Sequence, residues 1–367
     1  MTSVSVPPSN QTVNVRIFDT TFRIINGRPA AFMSPVIKGF DRMNALAYSF
    51  LVTHRDSKGK ERKFLFDLGA PKDWKNDLPP SVSQHVKKWE RAGIQVDVKQ
   101  NISEILKDNG IPLEEIEAVI WSHPHWDHIG RPSLFPSTTK LIVGPDIKAK
   151  LGPGYPENEN SPFRSEAFAN REVVELSFES SAISIGHMRA IDFFGDGSFF
   201  FLDAPGHAVG HINALARTST NPSTFLFMGG DSYHHCAELR PHEYAPLPNS
   251  IEVPNLNPYP CPGELFNSFH PCASQGNANN TPFVLVGEKS PAIDLAAARE
   301  VVDKIKAFDG DENILVIAAH DWSLLDVLDL YPQSANDWKM KGWKEKGRWR
   351  FLADFQKAID FARRQKL

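Results

Sequence analysis

Four potential metal ligands lie within six residues, in the segment His-Pro-His-Trp-Asp-His. They are His123, His125, Asp127 and His128. Imidazole and carboxylate groups are the ligands that hold zinc and related divalent ions in proteins. Because side chains alternate along an extended chain, His123 and His125 point the same way. We therefore interpret the segment as part of a metal site rather than as a chance cluster in a surface loop.

Three further candidate ligands follow apolar runs that are typical of buried strands. His207 comes after the run 199–202, Asp231 after the run 225–228, and His320 after the apolar residues 314–319. Singly, each fits a structural histidine at a strand end or an aspartate that caps a turn. A hydrolytic metal site needs more ligands than one loop supplies, so we expect these residues to join the first cluster.

Strand and helix patterns alternate along both halves of the chain. This alternation favours two sheets packed face to face with helices outside, an α/β fold. Helices are predicted at residues 81–92, 101–109 and 296–308. Strands are predicted at residues 13–18, 45–52, 63–66, 118–121, 140–143, 173–176, 188–194, 199–202, 212–216, 225–228 and 314–318.

The composition excludes several classes of protein. The chain has 367 residues, 41% of them hydrophobic, and no apolar run near the roughly 18 residues that cross a bilayer. A net charge of -4 gives no electrostatic case for binding nucleic acid. Without a secretory pattern at the start, a cytoplasmic location is expected. The three cysteines, Cys236, Cys261 and Cys272, argue against a disulfide framework, although a bond between Cys261 and Cys272 stays open.

Two segments stand apart from the strand and helix pattern. Residues 241–282 are rich in proline and polar residues but contain several aromatic side chains. We interpret this irregular insertion as a lid over a substrate pocket. The basic segment 339–367 has the apolar spacing of one amphipathic C-terminal helix with a solvated cationic face.

Together, the candidate ligands resemble the pattern of the metallo-β-lactamase superfamily. The matching motifs are His-x-His-x-Asp-His at 123–128, Pro-Gly-His at 205–207, Gly-Asp at 230–231 and the strand-end His320. Phe66-Asp67-Leu68-Gly69 is similar to the structural Asp-x-Gly turn of that family. The resemblance implies one domain over residues 1–367 with an αβ/βα four-layer sandwich, in which the metals lie at one edge of two mixed sheets.

The resemblance also implies a role for each ligand. His123, His125 and His207 would bind a first metal, Asp127, His128 and His320 a second, and Asp231 would bridge both. Seven ligands exceed what one four-coordinate zinc ion can use, which independently favours two adjacent ions. Zn²⁺ is the expected metal, and the ligands also suit Mn²⁺, Fe²⁺ and Co²⁺.

Two such ions would lower the pKa of a shared water and make a hydroxide nucleophile at neutral pH. Asp127 and Asp231 would orient its attack on a carbonyl. The lactonase branch typically places a tyrosine three residues after the bridging aspartate, but this chain has His234 there and Tyr233 one step earlier. Either side chain is a candidate for stabilising the oxyanion or for carrying a proton.

The leading functional hypothesis is a hydrolase that opens a small cyclic ester, lactam or carbamate. It rests on a further likeness of residues 229–241 to fungal lactonases and γ-lactamases, some of which act on benzoxazolinones. A thioester hydrolase of the glyoxalase II or polyketide type is the alternative. Phosphodiesterase activity and a non-catalytic metal-binding role are less favoured. The expected partner is a small-molecule substrate, with no nucleic acid or membrane, and a homodimer is left open.

Overall fold

Two β-sheets lie face to face between layers of helices, as the sequence pattern predicts. The computed structural model describes residues 3–365. One sheet has seven strands in the order β5-β1-β3-β4-β6-β7-β8, and the other has six in the order β17-β13-β12-β11-β10-β9. The strands, numbered in chain order, are β1 (Asn14–Gly27), β2 (Met33–Ser34), β3 (Met43–Arg55), β4 (Glu61–Phe66), β5 (Gln95–Val98), β6 (Ile116–Ile120), β7 (Lys140–Val143), β8 (Val173–Glu175), β9 (Ile183–Ile185), β10 (Met188–Asp192), β11 (Phe199–Asp203), β12 (Ile212–Thr220), β13 (Ser223–Met228), β14 (Ser250–Ile251), β15 (Cys261–Pro262), β16 (Leu285–Val286) and β17 (Ile314–Ile317).

Helices cover the outer faces of both sheets. The longest helix, α7, packs on the six-stranded sheet, and α2 and α3 pack on the seven-stranded sheet. Among the described residues, no helix is long and apolar enough to cross a membrane. The α-helices are α1 (Trp74–Asp77), α2 (Pro80–Arg91), α3 (Ile102–Asp108), α4 (Trp126–Ile129), α5 (Ile147–Leu151), α6 (Glu264–Asn267), α7 (Leu295–Gly310), α8 (Trp343–Gly347) and α9 (Gln356–Gln365).

The four layers follow from the side chains of each strand, which point alternately to its two faces. Phe199 and Phe201 of β11 point into the core between the two sheets, whereas Phe200 points to the core under α7. On β4, Phe64 packs between the sheets and Leu65 packs under the outer helices. Because successive side chains of a strand face opposite ways, strands that are apolar throughout must be covered on both faces.

The C-terminal segment 339–367 differs from the single helix predicted for it. Helix α8 ends at Gly347, a 3₁₀ helix follows over Arg350–Phe355, and α9 then runs to Gln365. Residues 366 and 367 lie outside the described residues. Trp343 packs into the core between the sheets, while Phe351 and Phe355 pack into the core under α7. One straight helix could not bury side chains in both cores, so the chain breaks between them.

The irregular segment 241–282 is part of the molecule's core. Ile251, Val253, Leu256 and Phe266 are buried in the same apolar cluster as α7. The segment contains only short elements, including β14, β15 and α6. All three cysteines are free thiols, so the bond left open between the second and third is absent.

A buried ion pair fixes the start of this segment. The Arg240 guanidinium donates hydrogen bonds of 3.0 and 2.6 Å to the Asp309 carboxylate of α7. His242 lies 3.0 Å from the same carboxylate. Burial disfavours the charge on Asp309, but the Arg240 cation outweighs it and holds the pKa of Asp309 well below its usual range. The carboxylate is therefore ionised and depends on its partners.

We expect Arg240→Met to lower the free energy of unfolding by about 3–5 kcal/mol, because it leaves a buried carboxylate without its cation. Urea denaturation followed by circular dichroism measures the change. Arg189→Met is the matched control: its ion pair with Asp203 is largely exposed on the arginine side, and its removal should change stability by less than about 1 kcal/mol. A loss at Arg240 no larger than at Arg189 would contradict the role of the buried pair.

Candidate metal centre

The ends of buried strands carry the candidate ligands to one place. Strand β6 ends at Ile120, and the four ligands of the first motif follow in the next eight residues, around the short helix α4. His207 lies in the connection from β11 to β12. Asp231 follows β13 and His320 follows β17, and these two strands are parallel neighbours. Parallel strands end at the same edge, so both ligands emerge side by side.

One group of ligands surrounds the first candidate metal position. It consists of His123, His125, His207 and Asp231, whose ligand atoms lie within 4.8 Å of one another. His207 Nε2 is 3.2 Å from His123 Nε2 and 2.9 Å from His125 Nδ1. Four nitrogen and oxygen atoms converging on one point match the donor set of a zinc site.

A second group lies directly beside the first. Asp127, His128 and His320 also bring their ligand atoms within 4.8 Å of one another. Asp231 joins the two groups through its two oxygens. Oδ1 lies 3.0 Å from His128 Nε2 and 3.1 Å from His320 Nε2, while Oδ2 lies 3.4 Å from His207 Nε2 and 3.2 Å from His320 Nε2. All seven predicted ligands therefore meet, with Asp231 in the position of a bridge.

The histidine ligands differ in protonation state: three are neutral, whereas His128 favours its protonated form, so a metal would have to displace a proton there. Burial lowers the pKa of His123, His125 and His207, so these imidazoles are neutral and can act as ligands. Burial also opposes a charge on His128, but the Asp231 and Asp67 carboxylates outweigh it and raise the pKa of His128 well above its ordinary value.

Two buried polar atoms test whether a metal fits. His128 Nε2 and Asp231 Oδ1 have no hydrogen-bond partner of acceptable geometry among residues 3–365. Buried polar atoms are normally satisfied, and such exceptions call for an explanation. A divalent ion between the two groups would take both atoms as ligands, so the residues fit a pair of metals.

Asp67 orients the ligands from behind. It has a left-handed backbone, with φ of 61°, in the tight turn after β4. Its carboxylate lies 2.8 Å from His128 Nδ1 and accepts hydrogen bonds from the Ser122 amide and hydroxyl. An acceptor at Nδ1 keeps the proton of the neutral ring on that nitrogen, so that Nε2 could act as the metal ligand. The Asp-x-Gly turn thus has the structural place implied for it.

His211 is a structural histidine that supports the backbone of Asp231. Its ring bridges two backbone groups: Nδ1 lies 2.9 Å from the Ala204 carbonyl, and Nε2 accepts a 3.0 Å hydrogen bond from the Asp231 amide. Gly230 has φ of 47°, and a Cβ there would lie 2.9 Å from the same ring nitrogen. His211 and Gly230 therefore set the backbone that presents Asp231. In the sequence, the only sign of this role is the position of His211, four residues after the candidate ligand His207.

A cavity of about 500 Å³ opens onto the metal centre. Its walls come from the end of β1, the turn that follows it, helix α2, and the loop 287–294. None of the residues that line the cavity belongs to 241–282, so the structure does not support the lid predicted there. Apolar side chains of that segment pack into the core under α7 instead. The lining residues are Ile24, Gly27, Arg28, Ala31, Phe32, Met43, Ala45, His85, Trp89, Ala92, Ile94, His125, Trp126, Asp127, Asp231, His234, Lys289, Pro291 and His320.

The structure separates the two proposed proton partners. His234 lines the cavity, and its Nε2 lies 3.5 Å from Asp231 Oδ2. Tyr233 is 1% exposed, is absent from the cavity wall and packs into the core under α7. The side chains of these neighbours diverge because Glu238 anchors the turn, accepting a 2.6 Å hydrogen bond from the His234 amide. Only His234 is brought to the site.

Comparison with known proteins agrees with this geometry. The family described as the metallo-beta-lactamase superfamily matches residues 47–215. Gamma-lactamase FDB1 of Fusarium pseudograminearum is 42% identical over 96% of this chain and 84% of its own length. Metallo-hydrolase mfmC of Annulohypoxylon moriforme is 41% identical over 97% of this chain and 91% of its own length.

Solved structures share the fold of this chain. A quorum-quenching N-acyl homoserine lactone hydrolase superposes with a TM-score of 0.52 at 13% identity, over 90% of this chain and 100% of its own. At that identity the likeness concerns the fold alone. The matching family model and the relatives that align over nearly the whole chain show that this protein belongs to the metallo-β-lactamase superfamily.

Proposed function

We propose that this protein is a dinuclear metal hydrolase that opens a small cyclic ester, lactam or carbamate. The observation that carries the proposal is the position of Asp231, whose carboxylate contacts histidines of both ligand groups and lines a largely apolar cavity. The similarity to a protein named as a gamma-lactamase supports the same class of substrate. The His-rich ligand set favours Zn²⁺, although Mn²⁺, Fe²⁺ and Co²⁺ have compatible chemistry.

Hydrolysis requires that water oxygen bonds to the carbonyl carbon, that the ring C–O or C–N bond breaks, and that the leaving atom gains a proton. Two bound divalent ions would supply an acidified water and polarise the carbonyl. Asp127 and Asp231 face the cavity and can accept the proton of the attacking water. These carboxylates also fix the direction of attack, because both are held by neighbouring histidines.

His234 is positioned to serve the leaving group. Burial lowers its pKa to about 3, so its ring is neutral over the physiological range. Its Nδ1 has no hydrogen-bond partner within residues 3–365. A neutral imidazole carries one N–H and one acceptor nitrogen. It can therefore donate a hydrogen bond to the carbonyl oxygen or to the departing ring atom.

The shape of the cavity favours a compact ring. About 500 Å³ is at the lower part of the range of ligand pockets and suits a small molecule. Most of the wall is apolar, and the polar groups are concentrated at the metal end and at the mouth. A small, largely apolar ring would leave its hydrolysable carbonyl as the group facing the metal ligands.

Asp231→Asn should abolish the dinuclear site, because it removes the anion that both ligand groups share. We expect the metal content to fall below two ions per chain and kcat/KM for a lactone or lactam to fall by more than about 100-fold, beyond the usual effect of an outer-shell change. Plasma emission spectroscopy and steady-state kinetics measure both. Near-normal turnover with two bound metals would refute the bridging role.

Asp67→Asn tests the hydrogen bond that orients the ligand His128, without changing a ligand itself. The amide would present N–H to His128 Nδ1, which favours the tautomer with the proton on the metal-facing nitrogen. Metal affinity should fall about 10–100-fold in competition with a chromophoric chelator. Asp303→Asn, on the exposed side of α7, is the control and should leave affinity unchanged. Equal affinities of both variants would show that Asp67 does not orient the ligand.

His234→Ala and Tyr233→Phe distinguish the two residues that the sequence could not separate. Loss of a positioned proton partner should lower kcat about 100-fold or more for His234→Ala. Tyr233→Phe removes a buried hydroxyl that has no partner in the described structure, so kcat should stay within about twofold of the parent value. The opposite ranking in single-turnover assays of the metal-loaded variants would reverse this assignment.

A further inference from the structure

The mouth of the cavity carries two cations that the proposed hydrolysis does not use. Arg28 and Lys289 both line the cavity, and both are exposed. Within residues 3–365 neither takes part in an ion pair. The carboxylates of the cavity wall, Asp127 and Asp231, lie at the metal end. In a chain with more acidic than basic residues, 44 against 40, such an uncompensated pair at a cavity mouth is a local positive site.

Backbone pairing brings the two cations to the same rim. Strand β16 pairs with β2, with Val286 opposite Met33. The Gly287 amide donates a 2.8 Å hydrogen bond to the Phe32 carbonyl. A Cβ at Gly287 would lie 2.8 Å from the Met33 backbone, so the two chains are in close contact. This contact holds the loop with Lys289 against the turn with Arg28.

The other end of the same loop is attached to the metal centre. The Asp294 amide donates a 3.0 Å hydrogen bond to the Gly206 carbonyl, and the Ile293 amide a 3.3 Å bond to the His207 carbonyl. The loop 287–294 therefore runs from the cavity mouth to a metal ligand and is fixed at both ends. Lys289 therefore lies in a loop that is anchored beside the metal ligand His207.

Aromatic rings form the wall between the mouth and the metals. Trp89 lies between Phe32, at 6.5 Å, and Trp126, at 6.3 Å, with ring planes inclined by 76° and 65°. Phe32 in turn lies 4.7 Å from His234. Offset and inclined rings at these distances offer both faces and edges to a flat ligand. The wall fits an aromatic ring whose reactive edge points to His234.

The geometry points to a substrate in which the hydrolysable ring is fused to an aromatic ring that carries a carboxylate on the opposite side. This inference rests on the proposed function and narrows its substrate class. The carbonyl would face the metals, the aromatic ring would contact the wall of Phe32, Trp89 and Trp126, and the carboxylate would bind Arg28 and Lys289. The two cations would then be specificity-determining residues, selecting acidic over neutral rings.

Matched pairs of compounds test this selection. Phthalide and benzoxazolinone are the neutral probes, and their ring-carboxylated derivatives are the acidic probes. The metal-loaded enzyme should show a higher kcat/KM for the acidic member of a pair. In the double variant Arg28→Gln/Lys289→Gln, the ratio of acidic to neutral kcat/KM should fall about tenfold, since each exposed charge pair is worth at most about fivefold. Added salt should reduce the same ratio in the parent enzyme.

Lys88→Gln is the matched control. Lys88 is an exposed cation of the same helix that carries Trp89, but it does not line the cavity. Its substitution should leave the acidic-to-neutral ratio unchanged. A ratio near one in the parent enzyme, or an equal ratio in the parent and the double variant, would overturn the selection for acidic rings while leaving the hydrolase function intact.

Binding measurements distinguish failure of this inference from failure of the proposed function. Quenching of tryptophan fluorescence by the carboxylated and neutral rings gives dissociation constants without turnover. Tighter binding of the acids, lost in the double variant, would support the anion site even where no ring is hydrolysed. Equal binding of acidic and neutral rings would reject it. Absence of hydrolysis of every ring, with full metal content, would instead reject the proposed function.

Discussion

The contact between the Asp231 carboxylate and two groups of histidines is the interaction on which the rest of the site depends. Its oxygens lie within 3.0–3.4 Å of His128, His320 and His207, with all groups buried. A buried carboxylate among imidazoles is stable only where positive charge balances it. In the proposed hydrolase two divalent ions would supply that charge, so the requirements of electrostatics and of catalysis would coincide at Asp231.

The two sheets fix the positions of the strand ends, and these positions determine the contact between Asp231 and the histidines. Asp67, after β4, holds His128, while His211, before β12, holds the Asp231 amide. Each support comes from a strand whose two faces are buried under other layers, so the ends cannot shift without disturbing a core. Each ligand and its hydrogen-bond partner lie at the ends of neighbouring strands of one sheet, β4 beside β6 and β12 beside β13, so the pairing of these strands sets the distance between them.

Much of the fold and of the ligand set could be predicted from the sequence, for physical reasons. Strands that are apolar throughout must be covered on both faces, so the sequence predicts sheets between layers of other elements. Histidines and aspartates that directly follow such strands meet at one edge of the sheets. The contacts of His211 could not be predicted because they are to backbone groups that only the folded chain brings near. Tyr233 and His234 could not be separated because the direction of each side chain depends on the anchored turn at Glu238.

The predicted lid shows a second limit of sequence reasoning. Aromatic side chains in the irregular segment 241–282 indicate burial, but they do not identify the surface they bury. Phe266 and Phe269 pack into the core under α7, where Phe269 contacts Phe355 of the C-terminal chain, whereas Tyr244 and Tyr259 are exposed. The cavity wall instead comes from residues far apart in the chain: Trp89 lies on α2, and the pairing of β2 with β16 brings the loop with Lys289 against the turn with Arg28. In the proposed hydrolase, substrate selection would therefore depend on long-range strand pairing, whereas the chemistry would depend on local motifs at strand ends.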